Sequence, residues 1–489
     1  MGIELILDMA AGAAGDRVAL GRRDTGLTYA DLARAADGGA ALLRKSGARS
    51  VAYVGLNGPV LPALIFAAAR AGIPLTPLNY RLSGVQLGEL LAELDHPFVV
   101  ADHAYAAVVP ADALSEDWLD RALQTEPTEQ IPVDDENPAV VLFTSGTTSK
   151  PKGVVLRHAH LLSYVLETVE FGAAEGSDAV LVSVPPYHIA GVGSVLSNLY
   201  AGRRMTYLPD FNPGAWLHLV REDQVTHAMV VPTMLARIVA ELDGAQADTP
   251  SLRSMAYGGA RMPQTVLRAA LKAFPNTDFV NAYGLTETSS TIAVLGPEDH
   301  RAALQGDPIA LERLGSVGRM VPGVECQVRD EAGEPLPRNT TGEIWVRGGQ
   351  VSGEYQGVGS VLDSDGWFPT RDRGRLDEDN YLFVEGRADD TIIRGGENIA
   401  PAEVEDVLLE HPAVDQVAVL GAPDEEWGER IVAVVVPVAG SDPDPEDLRA
   451  FVRARVRSSR TPDDVVFRTE LPYTATGKLL RRELARHLS

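Results

Sequence analysis

A short stretch of glycines, hydroxyl residues and lysines is the first part of the sequence that could do chemistry. It reads Thr144-Ser-Gly-Thr-Thr-Ser-Lys-Pro-Lys-Gly153. Glycines let backbone N–H groups approach an anion, hydroxyl groups donate hydrogen bonds, and lysines add positive charge. The glycine spacing does not fit a Walker A loop, and Pro151 stands where such a loop would enter its helix. The stretch predicts a phosphate loop of another kind, with an ordinary solvated surface loop as the alternative.

Three further stretches combine groups that suit a nucleotide and its metal ion. Residues 185–191 contain His188, which could also be a hydrogen-bonded core histidine. Residues 257–260 read Tyr-Gly-Gly-Ala, which leaves backbone open to a flat ring or forms a tight turn. Residues 281–288 offer an aromatic ring, a hydroxyl group and a carboxylate suited to Mg²⁺, or a helix cap at Thr286.

Two more candidates are single charged residues near the end of a motif. Asp372 ends the stretch 366–372 and could hold ribose hydroxyls, although an Asp beside proline is commonly a turn former. Lys478 ends the stretch 473–478, and a lone lysine there would ordinarily serve solubility. Each of these candidates is weak by itself.

The elements that must position these groups alternate between strand-like and helix-like runs. The strand-like runs are 50–55, 98–101, 139–143, 179–184 and 227–231, and an apolar helix is predicted over 60–71. Such alternation indicates a largely parallel α/β architecture. Because ligands bind at the carboxyl ends of such strands, the run 139–143 is expected to present the phosphate loop.

The pattern changes between about 315 and 385, where strands are short and separated by Gly, Pro and Asp. Alternating runs at 325–329, 342–346 and 381–384 predict a small antiparallel region. The single cysteine, Cys326, falls in this alternation and is expected to be structural rather than nucleophilic.

A compact unit of about a hundred residues is predicted after a joint at 386–390. It would contain helices over 402–409 and 447–457 and strands over 416–420 and 431–436, with a helix-capping turn at 440–445. We therefore expect an N-terminal domain of residues 1–386 and a C-terminal domain of residues 387–489.

The whole-chain composition excludes several classes of protein. The 489 residues are 45% hydrophobic and carry a formal charge of −25, which argues against nucleic-acid binding. One cysteine permits no intrachain disulfide and suits a reducing compartment. The N-terminus is a poor signal peptide, and the apolar run 60–69 is too short to span a bilayer. A cytoplasmic protein without membrane insertion is expected.

Taken in order, these motifs closely resemble the adenylate-forming superfamily of acyl-CoA synthetases, amino-acid adenylation domains and beetle luciferases. The resemblance runs from residues 28–32 to the terminal Gly477-Lys478 and is closest to the acyl-CoA ligase branch. It implies that a carboxylic acid attacks the α-phosphorus of ATP, giving acyl-AMP and pyrophosphate. A thiol, usually of coenzyme A, then expels AMP. A large N-terminal domain and a small mobile α+β C-terminal domain, hinged near Asp389, would alternate between the two steps.

The resemblance also implies a role for each matching residue. The phosphates would be held by Thr144, Ser145, Gly146, Thr147, Thr148 and Lys152. The adenine would lie among Gly258, Gly259, Ala260, Asn281, Ala282, Tyr283 and Gly284, and the ribose beside Asp372 and Arg387. Thr286 would contact the α-phosphate, Glu287 would bind Mg²⁺, and Lys478 would bridge the acid and the α-phosphate. Gly395 and Gly396 would line the tunnel for the thiol, Trp427 would lie near the CoA nucleotide, and His188 would stand between tunnel and acyl pocket.

The sequence departs from the family pattern at Arg371, where glycine normally precedes the ribose-binding Asp. Arg371 either points to solvent or weakens adenylation, leaving mainly thioesterification of a preformed acyl-AMP. Many relatives carry CoA-binding lysines near Arg460, but here Asp463 and Asp464 follow. A carrier-protein ligase and a luciferase-like oxygenase remain alternatives, as do a monomer and a homodimer.

The acyl pocket is the part of the site that the sequence describes least. No Asp follows His188, so an α-amino acid is not expected as the substrate. Small residues at Ala190, Gly191 and Gly193 predict a roomy apolar pocket for a bulky cyclic, aromatic or medium-chain acid.

Overall fold

The computed structural model describes residues 1–129, 131–144, 151–394, 397–424, 427–474 and 479–486. Several predicted site residues therefore lie outside the described residues: Ser145, Gly146, Thr147, Thr148, Gly395, Gly396 and Lys478.

The largest sheet has nine strands, and its six central neighbours run parallel. In pairing order the strands are β15 (Arg319–Met320), β14 (Ser290–Leu295), β13 (Asp278–Leu285), β12 (Ser254–Gly258), β11 (His227–Val230), β9 (Ala179–Val182), β10 (Arg204–Tyr207), β1 (Val18–Leu20) and β2 (Leu27–Thr28). The predicted strands at 179–184 and 227–231 are confirmed. The first ends early, at Val182, shortly before Pro185 and Pro186, which lack the N–H that a ladder needs.

A second sheet has eight strands with a parallel core of five. In pairing order they are β19 (Gly359–Ser360), β18 (Glu354–Tyr355), β8 (Lys152–Arg157), β7 (Pro138–Thr144), β4 (Leu75–Pro77), β3 (Ser50–Val54), β5 (Pro97–Ala101) and β6 (Ala113–Leu114). The predicted strands at 50–55, 98–101 and 139–143 are confirmed here. β7 ends directly at the predicted phosphate loop, as expected.

Helices cover both of these sheets. They are α1 (Glu4–Ala14), α2 (Tyr29–Ser46), α3 (Val60–Ala71), α4 (Gly84–Ala92), α5 (Ser115–Gln124), α6 (His158–Thr168), α7 (Ile189–Ala201), α8 (Pro213–Glu222), α9 (Pro232–Glu241), α10 (Gln264–Ala273), α11 (Pro297–Leu304) and α12 (Pro308–Arg313). The apolar helix predicted at 60–71 is α3, and every residue of it is buried. Across the described residues, no helix has the length and apolar character needed to cross a membrane.

The third sheet is antiparallel and has four strands, as predicted for the region 315–385. They are β16 (Val324–Arg329), β17 (Gly342–Gly348), β20 (Phe368–Leu376) and β21 (Leu382–Arg387). Cys326 lies half-buried in β16, and burial raises the pKa of its thiol to about 12, which suits a structural role. β20 was not predicted. It includes Asp372, so the interpretation of this residue as a turn former is wrong.

The fourth sheet, here called the C-terminal sheet, is built from β22 (Ile392–Arg394), β23 (Glu397–Ile399), β24 (Val414–Asp424), β25 (Gly428–Pro437) and β26 (Asp464–Phe467). Helices α13 (Pro401–Leu409), α14 (Pro445–Arg453) and α15 (Arg481–Ala485) accompany it. The predicted cap is confirmed, because Asp444 Oδ1 accepts from Glu446 N at 2.7 Å. The helix predicted to Arg457 ends at Arg453, and the turn that follows packs Val456 against the apolar core of this sheet.

This architecture confirms the predicted fold class. Parallel α/β sheets make up most of the molecule, a small antiparallel region follows them, and an α+β sheet with its own apolar core ends the chain.

Candidate active site

The best-defined cluster in the site centres on the carboxylate of Asp372. Asp372 in β20 and Arg387 in β21 are paired residues of the antiparallel sheet, and Arg387 Nε lies 2.9 Å from Asp372 Oδ1. Tyr283, at the end of β13 in the nine-stranded sheet, donates its hydroxyl to Asp372 Oδ2 at 2.6 Å. The cluster therefore joins two sheets and brings together three residues that the sequence assigned to the nucleotide.

Burial and charge set the protonation states of the two groups around Asp372. Burial, together with the charge of Asp372, raises the pKa of Tyr283 well above its ordinary value. Burial lowers the pKa of Arg387, but nearby acidic groups, Asp372 first among them, outweigh this effect and raise it overall. Tyr283 therefore stays a neutral donor and Arg387 a cation, and both orient the carboxyl group of Asp372.

Glu287 is held in a second cluster, at the 3₁₀ turn that follows β13. Tyr355 in β18 donates its hydroxyl to Glu287 Oε1 at 2.8 Å. The Lys152 ammonium lies 5.7 Å from the centroid of the Tyr355 ring. Since Lys152 begins β8, this contact places Glu287 near one end of the predicted phosphate loop.

The two ends of that loop are paired with each other. Thr144 at the end of β7 and Lys152 at the start of β8 are opposite residues in an antiparallel ladder. The Thr144 hydroxyl donates to the Lys152 carbonyl oxygen at 3.4 Å. The predicted loop is thus closed by a hairpin whose second strand also pairs with β18, which carries Tyr355.

A strained bend follows Glu287. Ser289 has a φ of 54° and Ser290 a φ of 109°, both in the region that favours glycine. The Thr288 hydroxyl accepts from Leu285 N at 3.0 Å, so Thr288 does the capping and the interpretation of Thr286 as the cap is wrong. The Gln350 amide donates to the carbonyl of Thr288 at 2.9 Å and supports the bend from outside.

The stretches predicted to hold adenine contain glycines at which two backbone segments lie very close together. A Cβ on Gly258 would lie 2.2 Å from the Ala282 carbonyl oxygen, and one on Gly284 would lie 1.7 Å from the Ser290 carbonyl oxygen. Gly259 has a φ of 84°, which agrees with the tight turn weighed for this stretch. Ala260 follows this turn. On the neighbouring strand β13, Asn281 Nδ2 donates to the Ser316 carbonyl oxygen at 3.3 Å. Packing alone therefore explains why glycines stand at 258 and 284.

His188 lies at the N-terminal end of α7 and is only partly covered. Burial lowers the pKa of its imidazole to about 4, so the ring is neutral near pH 7. Its ring centroid lies 4.5 Å from that of Tyr187, and no hydrogen bond joins its ring nitrogens to another described residue. Its partial exposure argues against the alternative of a core histidine.

The glycines after His188 do not open the space that the sequence predicted. A Cβ on Gly191 would lie 2.9 Å from the Pro185 carbonyl oxygen. One on Gly193 would lie 3.2 Å from Ser290 Oγ and 3.4 Å from Tyr164 Cε1. Both positions are filled by neighbours, because α7 packs closely against them. The prediction of room at Gly191 and Gly193 was wrong.

Arg371 directly precedes Asp372, and its side chain is largely exposed. Its side chain is 70% exposed, and its guanidinium lies 3.9 Å from the carboxylate of Glu343. The φ of Arg371 is 63°, a value that suits glycine better than arginine. The backbone therefore explains the preference for glycine at this position, and the outward side chain matches the first of the two interpretations of Arg371.

Trp427 lies in the C-terminal part of the chain with its side chain 45% exposed. The Arg394 guanidinium lies 5.1 Å from the Trp427 ring centroid and forms an ion pair with Asp463 at 2.7 Å. Arg460 forms ion pairs with Glu397 and Glu403. The cations near the predicted CoA nucleotide position are therefore already paired with carboxylates.

Tyr355 and Gln350 were not singled out from the sequence. Tyr355 lies 68 residues from Glu287 and Gln350 lies 62 residues from Thr288. No local pattern marks them, since they reach the site only through the pairing of β18 with β8 and the packing of the bend.

Comparison with known proteins agrees with this geometry. The model of the AMP-binding enzyme family matches residues 7–356, and that of the AMP-binding enzyme C-terminal domain matches residues 403–478. An indoleacetate–CoA ligase of Aromatoleum aromaticum is 33% identical over 504 residues, covering 98% of this chain and 96% of the relative. A feruloyl-CoA synthase of an Amycolatopsis species is 36% identical over 481 residues, covering 94% of each.

Among solved structures, the fold is similar to that of an o-succinylbenzoate CoA synthetase of Bacillus subtilis in complex with its acyl-adenylate intermediate. The TM-score is 0.83 at 28% identity, with 98% of this chain and 97% of the other covered.

Proposed function

The chain belongs to the AMP-binding enzyme family as an ATP-dependent acid–thiol ligase, and we propose that it converts a carboxylic acid to its acyl-CoA through an acyl-AMP intermediate. The observation that carries the assignment of roles is the cluster of Tyr283, Asp372 and Arg387. An oriented carboxylate beside an aromatic ring suits a ribose and its base. Asp372 accepts from the ribose hydroxyls, Arg387 holds it in place, and the Tyr283 ring lies along the adenine.

Glu287 is the proposed ligand of Mg²⁺. Its Oε1 accepts from Tyr355, and lone pairs remain on both carboxylate oxygens. Mg²⁺ is commonly held by one or two carboxylates together with substrate phosphates, so one carboxylate such as Glu287 suits it. A bound Mg²⁺ would neutralise charge on the phosphates as pyrophosphate leaves.

The remaining roles divide between the two half-reactions. In the first, the loop from Thr144 to Lys152 holds the β- and γ-phosphates, with Ser145, Thr147 and Thr148 as hydroxyl donors. Thr286 contacts the α-phosphate, and Lys478 bridges acid and α-phosphate. In the second, the thiol of CoA reaches the acyl carbon past Gly395, Gly396 and His188 and releases AMP. Positioning and charge stabilisation account for both steps.

We propose that the C-terminal domain, residues 387–489, rotates about Asp389 between these steps. Asp389 lies in a single 3₁₀ turn, Ala388–Asp390, between the antiparallel sheet and the C-terminal sheet. Such a short connection suits a hinge, since few backbone angles need to change. The enzyme would act in the cytoplasm as a monomer or homodimer.

A panel of carboxylic acids with ATP, Mg²⁺ and CoA tests this function, with acyl-AMP and acyl-CoA measured separately by mass. We expect both products from at least one acid, loss of both without ATP, and a dependence on Mg²⁺ that Glu287→Gln shifts to higher concentration. Lys478→Ala should stop adenylation but still thioesterify a supplied acyl-AMP.

Other outcomes select the alternatives. Thioester formed only from supplied acyl-AMP would favour an enzyme limited to the second step, although the outward side chain of Arg371 supports the complete reaction. Transfer to a phosphopantetheinyl protein but not to CoA would indicate a carrier-protein ligase. Light or oxygen consumption would indicate an oxygenase. No product of any kind would overturn the proposal.

A further inference from the structure

Helix α7 has one partly open face in an otherwise buried helix. Ala190, Ser194 and Ser197 remain partly exposed, whereas the residues between them are buried. Positions separated by four and then three residues lie on the same side of a helix. The open face therefore carries two hydroxyl groups, and it begins two residues after His188.

Helix α7 packs on one face of the nine-stranded sheet. It leaves the strands beneath its middle partly uncovered. α7 contacts both β9 and β14, which lie on either side of β11, β12 and β13 in that sheet. Val180 and Val182 of β9 point toward α7 and share its apolar core. The parallel register places His227 beside Val180, so Met229, two residues further along β11, points toward the same side.

The row that starts at Met229 is apolar and partly exposed. Met229 pairs with Ala256, which pairs with Val280, and all three are half-buried. Their chain neighbours point to the opposite face and are fully buried against helices there, as Tyr257 and Phe279 illustrate. A slot therefore lies between this apolar row and the open face of α7.

The far part of the slot is closed by neutral polar groups. Tyr164 reaches the same point, since a Cβ on Gly193 would lie 3.4 Å from Tyr164 Cε1 and 3.2 Å from Ser290 Oγ. Asn198 Nδ2 donates to Ser194 Oγ at 3.2 Å, which leaves the Ser194 hydroxyl proton free to be donated. The groups that close the slot carry no charge, so they suit a neutral hydrogen-bonding partner rather than an ammonium or a second carboxylate.

The length of the slot limits the length of the acid that it can hold. Ser197 lies seven residues after Ala190, which corresponds to about 10 Å along the helix at 1.5 Å per residue. The near end adjoins His188, and the bend with Ser290 continues directly from Glu287. A planar ring system would lie on Met229, Ala256 and Val280, with its carboxylate toward the nucleotide.

Resting on the proposed function, we propose that the acid is a flat, ring-bearing carboxylic acid whose distal end carries a neutral hydrogen-bonding group, such as a phenolic hydroxyl or a ring N–H. Ser194, Ser197 and Tyr164 recognise that group. An acid with such a group offers these hydroxyl groups a further hydrogen bond, which a saturated alkyl acid cannot make.

Adenylation of length-matched acids tests this inference, with 4-hydroxycinnamate, cinnamate and octanoate as the probes. We expect kcat/KM to favour 4-hydroxycinnamate over cinnamate by about threefold to tenfold, the effect of one neutral hydrogen bond, and over octanoate by more. Ser197→Ala and Tyr164→Phe should each reduce this preference by lowering kcat/KM for 4-hydroxycinnamate more than kcat/KM for cinnamate. Ser46→Ala, which removes a serine hydroxyl from the end of helix α2, is the matched control and should change neither rate.

Two readouts separate this inference from the proposed function. If octanoate is adenylated as well as 4-hydroxycinnamate, or if the variants keep the preference, the inference is overturned and the function stands. In a second outcome, calorimetry detects 4-hydroxycinnamate binding that Ser197→Ala weakens, although no acid is adenylated. That result would reject the proposed function and support the slot as a binding site for the acid. If neither adenylation nor binding occurs, both are overturned.

Discussion

Arg261 forms an ion pair with Asp406 and so links the loop after the Gly258–Ala260 strip to helix α13 of the C-terminal part. Partial burial raises the pKa of Asp406, an effect that Arg261 opposes and the neighbouring Glu405 and Glu410 reinforce. The two side chains keep 45% and 37% of their exposure, so the pair contributes little to overall stability. Its significance lies in where it occurs, because a rotating C-terminal domain would have to break it.

Reversing one charge of this pair is expected to affect the two half-reactions unequally. Arg261→Glu should change either pyrophosphate exchange or thioesterification of supplied acyl-AMP by up to about fivefold, since an exposed pair is worth up to about 1 kcal/mol. Arg261→Glu combined with Asp406→Arg should restore the original ratio of the two rates. Arg301→Glu, which breaks a similar exposed pair with Asp278 within the N-terminal part, is the control. Equal changes in both half-reactions would refute a role in domain position.

Asp372→Asn is expected to raise the KM for ATP. The amide cannot accept two charge-assisted hydrogen bonds, and Arg387 loses its anionic partner. We expect kcat/KM for ATP to fall by about tenfold to a hundredfold, as for a hydrogen bond to a charged group. Pyrophosphate exchange measures this, with the exposed Asp365→Asn as the control. An unchanged KM for ATP would remove Asp372 from the ribose site.

Arg371 is expected to affect stability more than adenylation. Its φ of 63° makes any side chain unfavourable, so Arg371→Gly should be more stable than Arg371→Ala by about 0.5–1 kcal/mol, after allowing for the greater unfolded-state freedom of glycine. Urea unfolding midpoints provide the comparison. Pyrophosphate exchange by Arg371→Gly should stay within about twofold of the original rate, since the side chain is exposed. A large increase would instead support the hypothesis that Arg371 weakens adenylation.

His158 is expected to make the protein less stable in mild acid. Burial lowers the pKa of its imidazole to about 4 from an ordinary value of 6.5, and its Nδ1 accepts from Ile3 N at 3.2 Å. The folded state therefore binds fewer protons than the unfolded state in this range. Its stabilisation is complete above about pH 6.5 and is lost as the pH falls toward 4, at a cost of up to about 3 kcal/mol.

His158→Asn keeps an acceptor for Ile3 N but cannot take up a proton. Its free energy of unfolding should depend less on pH between 6.5 and 4, as measured by urea titrations at several pH values. The protein with His158 intact is the reference. Identical slopes for the variant and this reference would contradict the assignment.

The sequence determined the chemistry and the local elements around it. Alternating and helical periodicities placed strand β7, helix α3 and the antiparallel region correctly, because these patterns depend on residues only a few positions apart. The motif with Tyr283 and Glu287 and the single Asp372 supplied the kinds of group from which a nucleotide site is predicted, since side-chain chemistry is carried by residue type.

Only the tertiary structure decided which groups meet and where space is left. The contact between Tyr355 and Glu287 depends on the pairing of β18 with β8, and the ion pair of Arg261 with Asp406 depends on how the C-terminal part sits against the rest. From the sequence, Gly193 could either leave open space or allow close packing. In the structure Ser290 lies against it, so this glycine allows close packing. The physical reason is that packing between distant segments sets these distances, whereas the sequence pattern records only the local conformation.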